Sequence, residues 1–310
     1  MNDVMTRSEY WRLSYRRDRY LEFLSQDELE KRACDIMGNM TFLSGKGQIG
    51  LRAFSEGGAY WMPLWAHVLE EFALRYGPYP NGFTNGFVKG TALVKPSHPD
   101  EPLAKKAIDS IGGIRPGRLY KFGKKEHLEP MLKRGRIRIA PASYYSDPSL
   151  NPAIKDEELS FSIKIRPRDV KAEDMNGEEI PTFGNVEVSF ESKTNYYVSC
   201  FAANYTYREF DDFEADSCIV INEPREFTKR LLSRVRRIKP DFRGFASHVD
   251  YIDPLNHFSG EINVFLAKHF RYAYQNEYRF LWVPDKPLME LDPFFVEIGD
   301  MSQYAEILSI

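Results

Sequence analysis

Residues 269–283 read His269-Phe-Arg-Tyr-Ala-Tyr-Gln-Asn-Glu-Tyr-Arg-Phe-Leu-Trp-Val283, and the second half of this stretch decides the fold. From Gln275 to Trp282 polar and apolar residues alternate, aromatics are dense and the run stops at Pro284, a pattern that predicts a strand. Residues two apart share a face of a strand. Gln275, Glu277 and Arg279 are therefore expected on one wet face, with Tyr278, Phe280 and Trp282 turned into the core. A carboxylate set between an amide and a guanidinium suits an active-site edge, and it suits an ordinary charged surface ladder as well. The alternation leaves both open.

The same period-two grammar recurs upstream at 118–123, 136–140, 159–165 and 186–190, with Asn176-Gly177 as a hairpin signal. Further strands are expected at 196–201, 216–221, 245–251 and 294–298. Helical spacing is found at 125–134, closed by Gly135, at 224–239 and at 258–267. Strands and helices mixed in this order predict an α+β fold.

Upstream the pattern is helical. Leu13, Tyr20, Leu24, Leu29, Ala33 and Ile36 recur at helical spacing among Arg12, Arg16, Arg19 and Lys31, which predicts amphipathic helices with solvated basic faces. Ser25 or Asp27 is placed to start the second of them. Residues 59–76 carry a further apolar stripe through Trp61, Leu64, Val68 and Phe72, with His67 as an ordinary helix residue. Gly45-Lys46 invites comparison with a phosphate loop, but Gly47 stands where Ser or Thr is needed and no apolar strand precedes it. Loops are expected at 77–85 and 95–102. Gly and Pro punctuate 111–117, so a mainly helical domain is expected over residues 1–112 and an α+β domain over 113–310.

Composition bounds the function. The chain has 310 residues, 43% of them hydrophobic and 28% charged, which fits a folded globular protein. A net charge of −3 gives no global field to recruit nucleic acid. The basic helix at 224–239, with Arg230, Arg234, Arg236 and Arg237, is the best candidate for a polyanion-facing surface, nucleic acid included. Three scattered cysteines, no apolar leader and no long apolar run lead us to expect a cytoplasmic protein that does not enter the membrane. The six histidines lack ligand spacing, so no metal is expected.

Residues 118–283 resemble a widespread bacterial domain of unknown function. Its motifs stand here as Leu119-Tyr120-Lys121-Phe122, Arg136 to Ala140, Ser143-Tyr144-Tyr145-Ser146-Asp147-Pro148, Ser199-Cys200-Phe201 and Tyr274-Gln275-Asn276-Glu277-Tyr278-Arg279. The family usually has Phe-Asn where this chain has Tyr145-Ser146. The same arrangement is similar to the ADP-ribosyltransferase superfamily, in which an early strand bearing Arg or His, a middle Ser or Tyr strand and a late Glu strand surround NAD. On that resemblance Arg118 or Tyr120 takes the first position, Ser199 the middle one, and Gln275 and Glu277 the last. No His marks the first strand, and Ser199-Cys200-Phe201 only loosely echoes Ser-Thr-Ser.

The resemblance implies that Glu277 stabilises positive charge developing on ribose and that Gln275 orients the incoming nucleophile. Arg118 or Lys121 would meet the pyrophosphate, and Tyr144 or Tyr145 would stack on a ring. It further implies a mixed, mostly antiparallel β core of ADP-ribosyltransferase-like type, NAD as co-substrate, a nucleic-acid or protein acceptor, an antitoxin or inhibitor as partner, and a role as a toxin or anti-phage effector. The competing expectation is a non-catalytic binding module that works through the basic helix at 225–239.

Overall fold

A computed structural model describes residues 5–43, 49–78, 101–257 and 261–310. Gly45-Lys46-Gly47, residues 79–85 and 95–100 of the expected loops, and the first residues of the helix expected at 258–267 lie outside the described residues. In chain order the elements are α1 (Arg7–Arg17), α2 (Gln26–Met40), β1 (Thr41–Leu43), β2 (Ile49–Leu51), α3 (Gly58–Tyr76), α4 (Glu101–Asp109), β3 (Leu119–Gly123), α5 (Lys125–Arg134), β4 (Arg136–Pro141), β5 (Ser160–Ile165), β6 (Ala172–Glu173), β7 (Glu179–Ile180) and β8 (Val186–Glu191). They continue with β9 (Tyr197–Ala202), α6 (Arg208–Asp212), β10 (Ser217–Ile221), α7 (Pro224–Ile238), β11 (Phe242–His248), β12 (Asp250–Ile252), β13 (Ala267–His269), β14 (Glu277–Pro284), β15 (Phe294–Glu297) and β16 (Ala305–Ser309). The fold is α+β with mostly antiparallel sheets; among the described strands only β12 and β13 pair in parallel.

Two compact units divide the chain, and their limits differ from the single boundary expected near 111–117. One comprises the described residues of 1–96, 163–188 and 253–257; the other holds the rest. The helix α4 belongs with the second unit because its Ala104 and Ile108 are fully buried with Tyr120, Phe210 and Val220. The excursion through 163–188, which carries the β6–β7 hairpin and its Asn176-Gly177 turn, belongs with the first.

In the first unit α1 and α2 begin at Thr6 and Ser25, each forming a reciprocal capping box with a glutamate three residues on. The basic face of α1 is not simply solvated, as the sequence suggests. Two acids of α3, Glu70 and Glu71, are fully buried, and their partners come from α1, from Arg19 just beyond it and from Arg75 of α3 itself, 2.7 Å from Glu71. Arg12 and Arg16 pair with Glu70, while Arg19, at 3.0 Å, and the hydroxyl of Tyr15 hold Glu71. Arg32 and Asp253 form a second buried pair, with two hydrogen bonds of 2.9 and 2.6 Å.

The second unit is built on an eight-stranded sheet in the order β11-β14-β9-β3-β10-β16, with β4 and β15 branching from β9. That branch decides where the site lies. The whole of β9 pairs with β14 on one side. On its other side it meets β4 at Val198 and Tyr197, then β3 at Ala202 alone. Ser199, Cys200 and Phe201 therefore face a fork in the sheet.

One face of the sheet is covered by α5 and α7, with Phe227, Leu231 and Val235 of α7 packing on Phe201, Phe280 and Trp282. Gly135, at φ 62°, ends α5 in the left-handed region, where a Cβ would come within 2.5 Å of the Gly299 carbonyl oxygen. One expectation near the C-terminus is corrected. Residues 264–266 are a turn that leads into β13 rather than helix, and beyond the strand expected at 294–298 the chain adds β16, which pairs with β10.

Candidate active site

Glu277 opens β14, but its face is not wet. Glu277 is 5% exposed and Arg279 not at all, so a strand with one solvated side is not what forms. Nor does Gln275 share that strand. It closes a 3-10 turn, Phe270–Gln275, and Asn276 at φ 42° separates it from Glu277. The two side chains nevertheless border one cavity of about 440 Å³, a volume ordinary for a small-molecule site.

Pleat parity sorts the rest. Glu277 stands opposite Ala202 and Arg279 opposite Cys200, so these side chains share the face away from α7. Ser199 is opposite Phe280, on the α7 side, where its buried hydroxyl finds no hydrogen-bond partner among the described residues. Cys200, not Ser199, is thus the β9 residue that borders the cavity with a polar side chain.

At the cavity's floor two cations hold one carboxylate. Lys268 donates to Glu277 Oε2 at 2.7 Å and Arg279 to Oε1 at 2.6 Å. Burial alone would raise the Glu277 pKa, yet the charges and hydrogen bonds of Arg279 and Lys268 outweigh it and hold the carboxyl well below the usual range. Arg279 also spans to Glu158, with Nη2 2.9 Å from Oε1 and Nη1 2.6 Å from Oε2. Burial raises Glu158 to about 7, and the nearby Asp156 and Glu277 add to the rise while Arg279 opposes it.

A third carboxyl, Glu209 on α6, is 1% exposed and borders the same cavity. Burial, with Asp212 and Glu277 nearby, pushes it well above the usual carboxylate range. The amide of Gln275 donates to the Ala153 carbonyl at 2.9 Å, which fixes its orientation.

Another part of the lining is cationic and aromatic. Lys121 reaches into the fork, donates to the Cys200 carbonyl at 2.8 Å and lies 4.9 Å from the Phe201 ring centroid. Burial lowers its pKa. Among the described residues no carboxylate pairs with Lys121 or with Arg138, which stacks over Tyr144 at 4.4 Å. Lys124 and His127 complete this side, and Tyr145 stands edge-on to Tyr144 at 5.6 Å.

Of the residues expected from sequence, the structure brings Glu277, Gln275, Tyr120, Lys121, Tyr144 and Tyr145 to one cavity. It does not bring Arg118, a largely buried residue whose guanidinium donates to the Gly113 carbonyl at 3.2 Å. Nor does it bring the basic helix. Arg234, Arg236 and Arg237 are exposed, but α7 covers the opposite face of the sheet, so they form no rim to the cavity. Arg230 is engaged with Glu226 at 2.6 Å and with the Asp300 carbonyl at 3.2 Å.

Glu158, Lys268 and Glu209 have no counterpart among the residues expected from sequence, and Arg138 stands in the Arg136 to Ala140 motif without an expected role. Among the described residues no group of three or more His, Cys, Asp and Glu side chains is arranged to hold a metal ion, and no helix is long and apolar enough to cross a membrane. The chain matches no protein-family model, no curated protein and no solved structure.

Proposed function

We propose that the second unit is an NAD-dependent ADP-ribosyltransferase whose acceptor is a nucleic acid or a protein. The observation that carries this reading is the company kept in one cavity. An ionised carboxylate locked by two cations borders it together with Lys121 and Arg138, which have no acidic partners among the described residues. A half-buried cation such as Lys121 that lacks a counter-charge calls for an anionic ligand, and Arg138, exposed where it borders the cavity, can add a second contact. A dinucleotide offers a pyrophosphate to these cations and a positively charged nicotinamide riboside to the carboxylate. The three strands that the resemblance singled out, β3, β9 and β14, are also neighbours in the sheet, which supports the same reading.

The chemistry asks little more of the chain. When the nicotinamide–ribose bond breaks, its electron pair leaves with nicotinamide, and positive charge develops on the ribose. Glu277, preorganised and unable to turn away, is suited to stabilise that charge. The acceptor's lone pair then forms the new bond to ribose, and its proton must be removed. Glu158, titrating near neutrality beside Glu277, is suited to take it. Lys121, Arg138, Tyr144 and Tyr145 would hold the phosphates and a ring, and Gln275 would orient the nucleophile.

The direct test follows nicotinamide release from NAD, alone and with cell extract, under single-turnover conditions. Glu277→Gln is expected to lower the rate by roughly 100-fold or more. Lys121→Met, outside the ion-pair network, is expected to weaken NAD binding about tenfold with a smaller effect on the rate. A folded wild-type protein that neither binds nor consumes NAD would leave only the polyanion-binding alternative through α7.

A further inference from the structure

The cavity holds one polar group that neither the fold nor the chemistry above employs. Glu209 Oε1 is enclosed and has no hydrogen-bond partner among the described residues, although its side chain borders the cavity that Glu277 borders. Buried carboxyls are ordinarily satisfied, and this one keeps bonding capacity that the described residues leave unused in a residue bordering the cavity.

The groups around it explain why that capacity is left unused. On its own helix Arg208 is held by Asp212 at 2.8 Å and lies 3.6 Å from the Tyr274 ring centroid. On β14 and β13, Glu277 and Lys268 face it but are bound to one another, and on β10 it faces the thiol of Cys218.

We propose that Glu209 recognises a primary carboxamide, the nicotinamide end of NAD, through a pair of hydrogen bonds. The proposal rests on the reading of the site given above and adds the group that sets its specificity. A protonated carboxyl carries one donor and one acceptor on adjacent atoms. A primary carboxamide carries the complementary pair, so the acid O–H bonds the amide oxygen while the acid carbonyl accepts from the amide nitrogen. A carboxylate in the amide's place has no N–H to give and sets a negative charge beside Glu209 and Glu277. Glu209 and Glu277 thus divide the work of two carboxyls by environment: one is kept neutral by burial and acidic neighbours, the other is kept ionised by its cations.

Calorimetric titration of the full chain with NAD and with its nicotinic-acid analogue tests this without reliance on turnover. Wild type is expected to bind NAD at least about tenfold more tightly, because a site built to hydrogen-bond a group rejects the analogue that lacks it. Glu209→Leu is expected to abolish the preference while the thermal midpoint shows a folded protein. Glu209→Gln, whose amide also offers a donor and an acceptor, is expected to retain it. Equal affinity of wild type for the two dinucleotides overturns the assignment, as does an undiminished preference in folded Glu209→Leu. The wild-type comparison decides even where the leucine variant fails to fold. If wild type binds neither dinucleotide, the proposed function falls and takes this inference with it, a result distinct from equal binding of both.

Discussion

Both units bury acids, and the cluster of the second borders a cavity. In the first unit Glu70 and Glu71 are fully enclosed and their oxygens are met by Tyr15 and by arginines that remain partly in water, Arg12 at 47% and Arg16 at 53% side-chain exposure. In the second unit Glu277 is held by Lys268 and Arg279, themselves 6% and 0% exposed, and Glu209 beside it keeps an unpartnered oxygen. The same residue types therefore serve two ends. Where the cations reach solvent, the cluster ties helices together. Where the cations are buried and bonding capacity is left unused beside a hollow, it is equipped to receive a ligand. Burial of charge is common to both and does not by itself mark function.

The sharpest way to break this contrast is to remove a cation from the buried cluster. Arg279→Met takes away the group shared by Glu277 and Glu158 and leaves both carboxyls enclosed with Lys268 as the remaining cation. Breaking a buried pair in this manner costs about 3–5 kcal/mol, because the orphaned charge cannot reach water. Urea denaturation followed by circular dichroism should show a loss of that size. A variant as stable as wild type would mean that the cluster is solvated and the contrast false.

The contrast also bears on what could be read from sequence. The strands, the helices and the mostly antiparallel core were legible because period-two and helical spacing reflect burial on one side of each element. Glu277, Gln275 and Lys121 are legible as site candidates, but alternation suggests a wet face for the first two, whereas β14 is buried on both faces and its polar residues are satisfied by partners outside the strand. Lys268 lies nine positions away, and Glu158 more than a hundred. No local pattern announces such partners. Ser199 was chosen over Cys200 by motif, and a single step along β9 turns the side chain to the other face. Arg118 failed for a similar reason, as it lies just before β3 and is tied to its own loop. The basic helix was legible as a charged face, but which side of the sheet it covers depends on topology, which composition does not encode.

A second test exploits the opposite signs of titration in the two regions. His67, stacked on Tyr15 in the first unit, is lowered from 6.5 to about 4 by burial and by the Arg32 cation. A depressed histidine favours the folded state above its unfolded pKa and loses that contribution as pH falls through the window from 6.5 to 4. Glu158, raised from 4.5 to about 7, behaves in the opposite way. Its contribution is complete below 4.5 and is lost as pH rises toward 7. Each effect should amount to about 1–2 kcal/mol after allowance for partial exposure of His67 and for coupling at Glu158. Hydrogen exchange resolved by peptide, corrected for the intrinsic rate, should therefore show α3 protected less at pH 5 than at pH 7 and β14 protected more. Glu158→Gln should flatten the second trend and leave the first. Parallel trends in both regions would mean that these two groups do not govern them.

The smallest effect is expected where the contrast predicts tolerance. Glu70→Gln removes a fully buried charge, a change that would be severe if its partners were as enclosed as those of Glu277. Arg12 and Arg16 are instead about half in solvent, so each can rehydrate when its acid is lost, and the glutamine amide oxygen still accepts one hydrogen bond. The cost should be near 1 kcal/mol, the scale of one neutral-for-charged hydrogen-bond exchange at a surface-connected pair. Urea denaturation of this variant beside Arg279→Met puts both regions on one scale. A loss for Glu70→Gln as large as that for Arg279→Met would show that the exposure of the partner cations does not decide the cost. The distinction between a helix-tying cluster and a ligand-receiving one would then rest on the cavity alone.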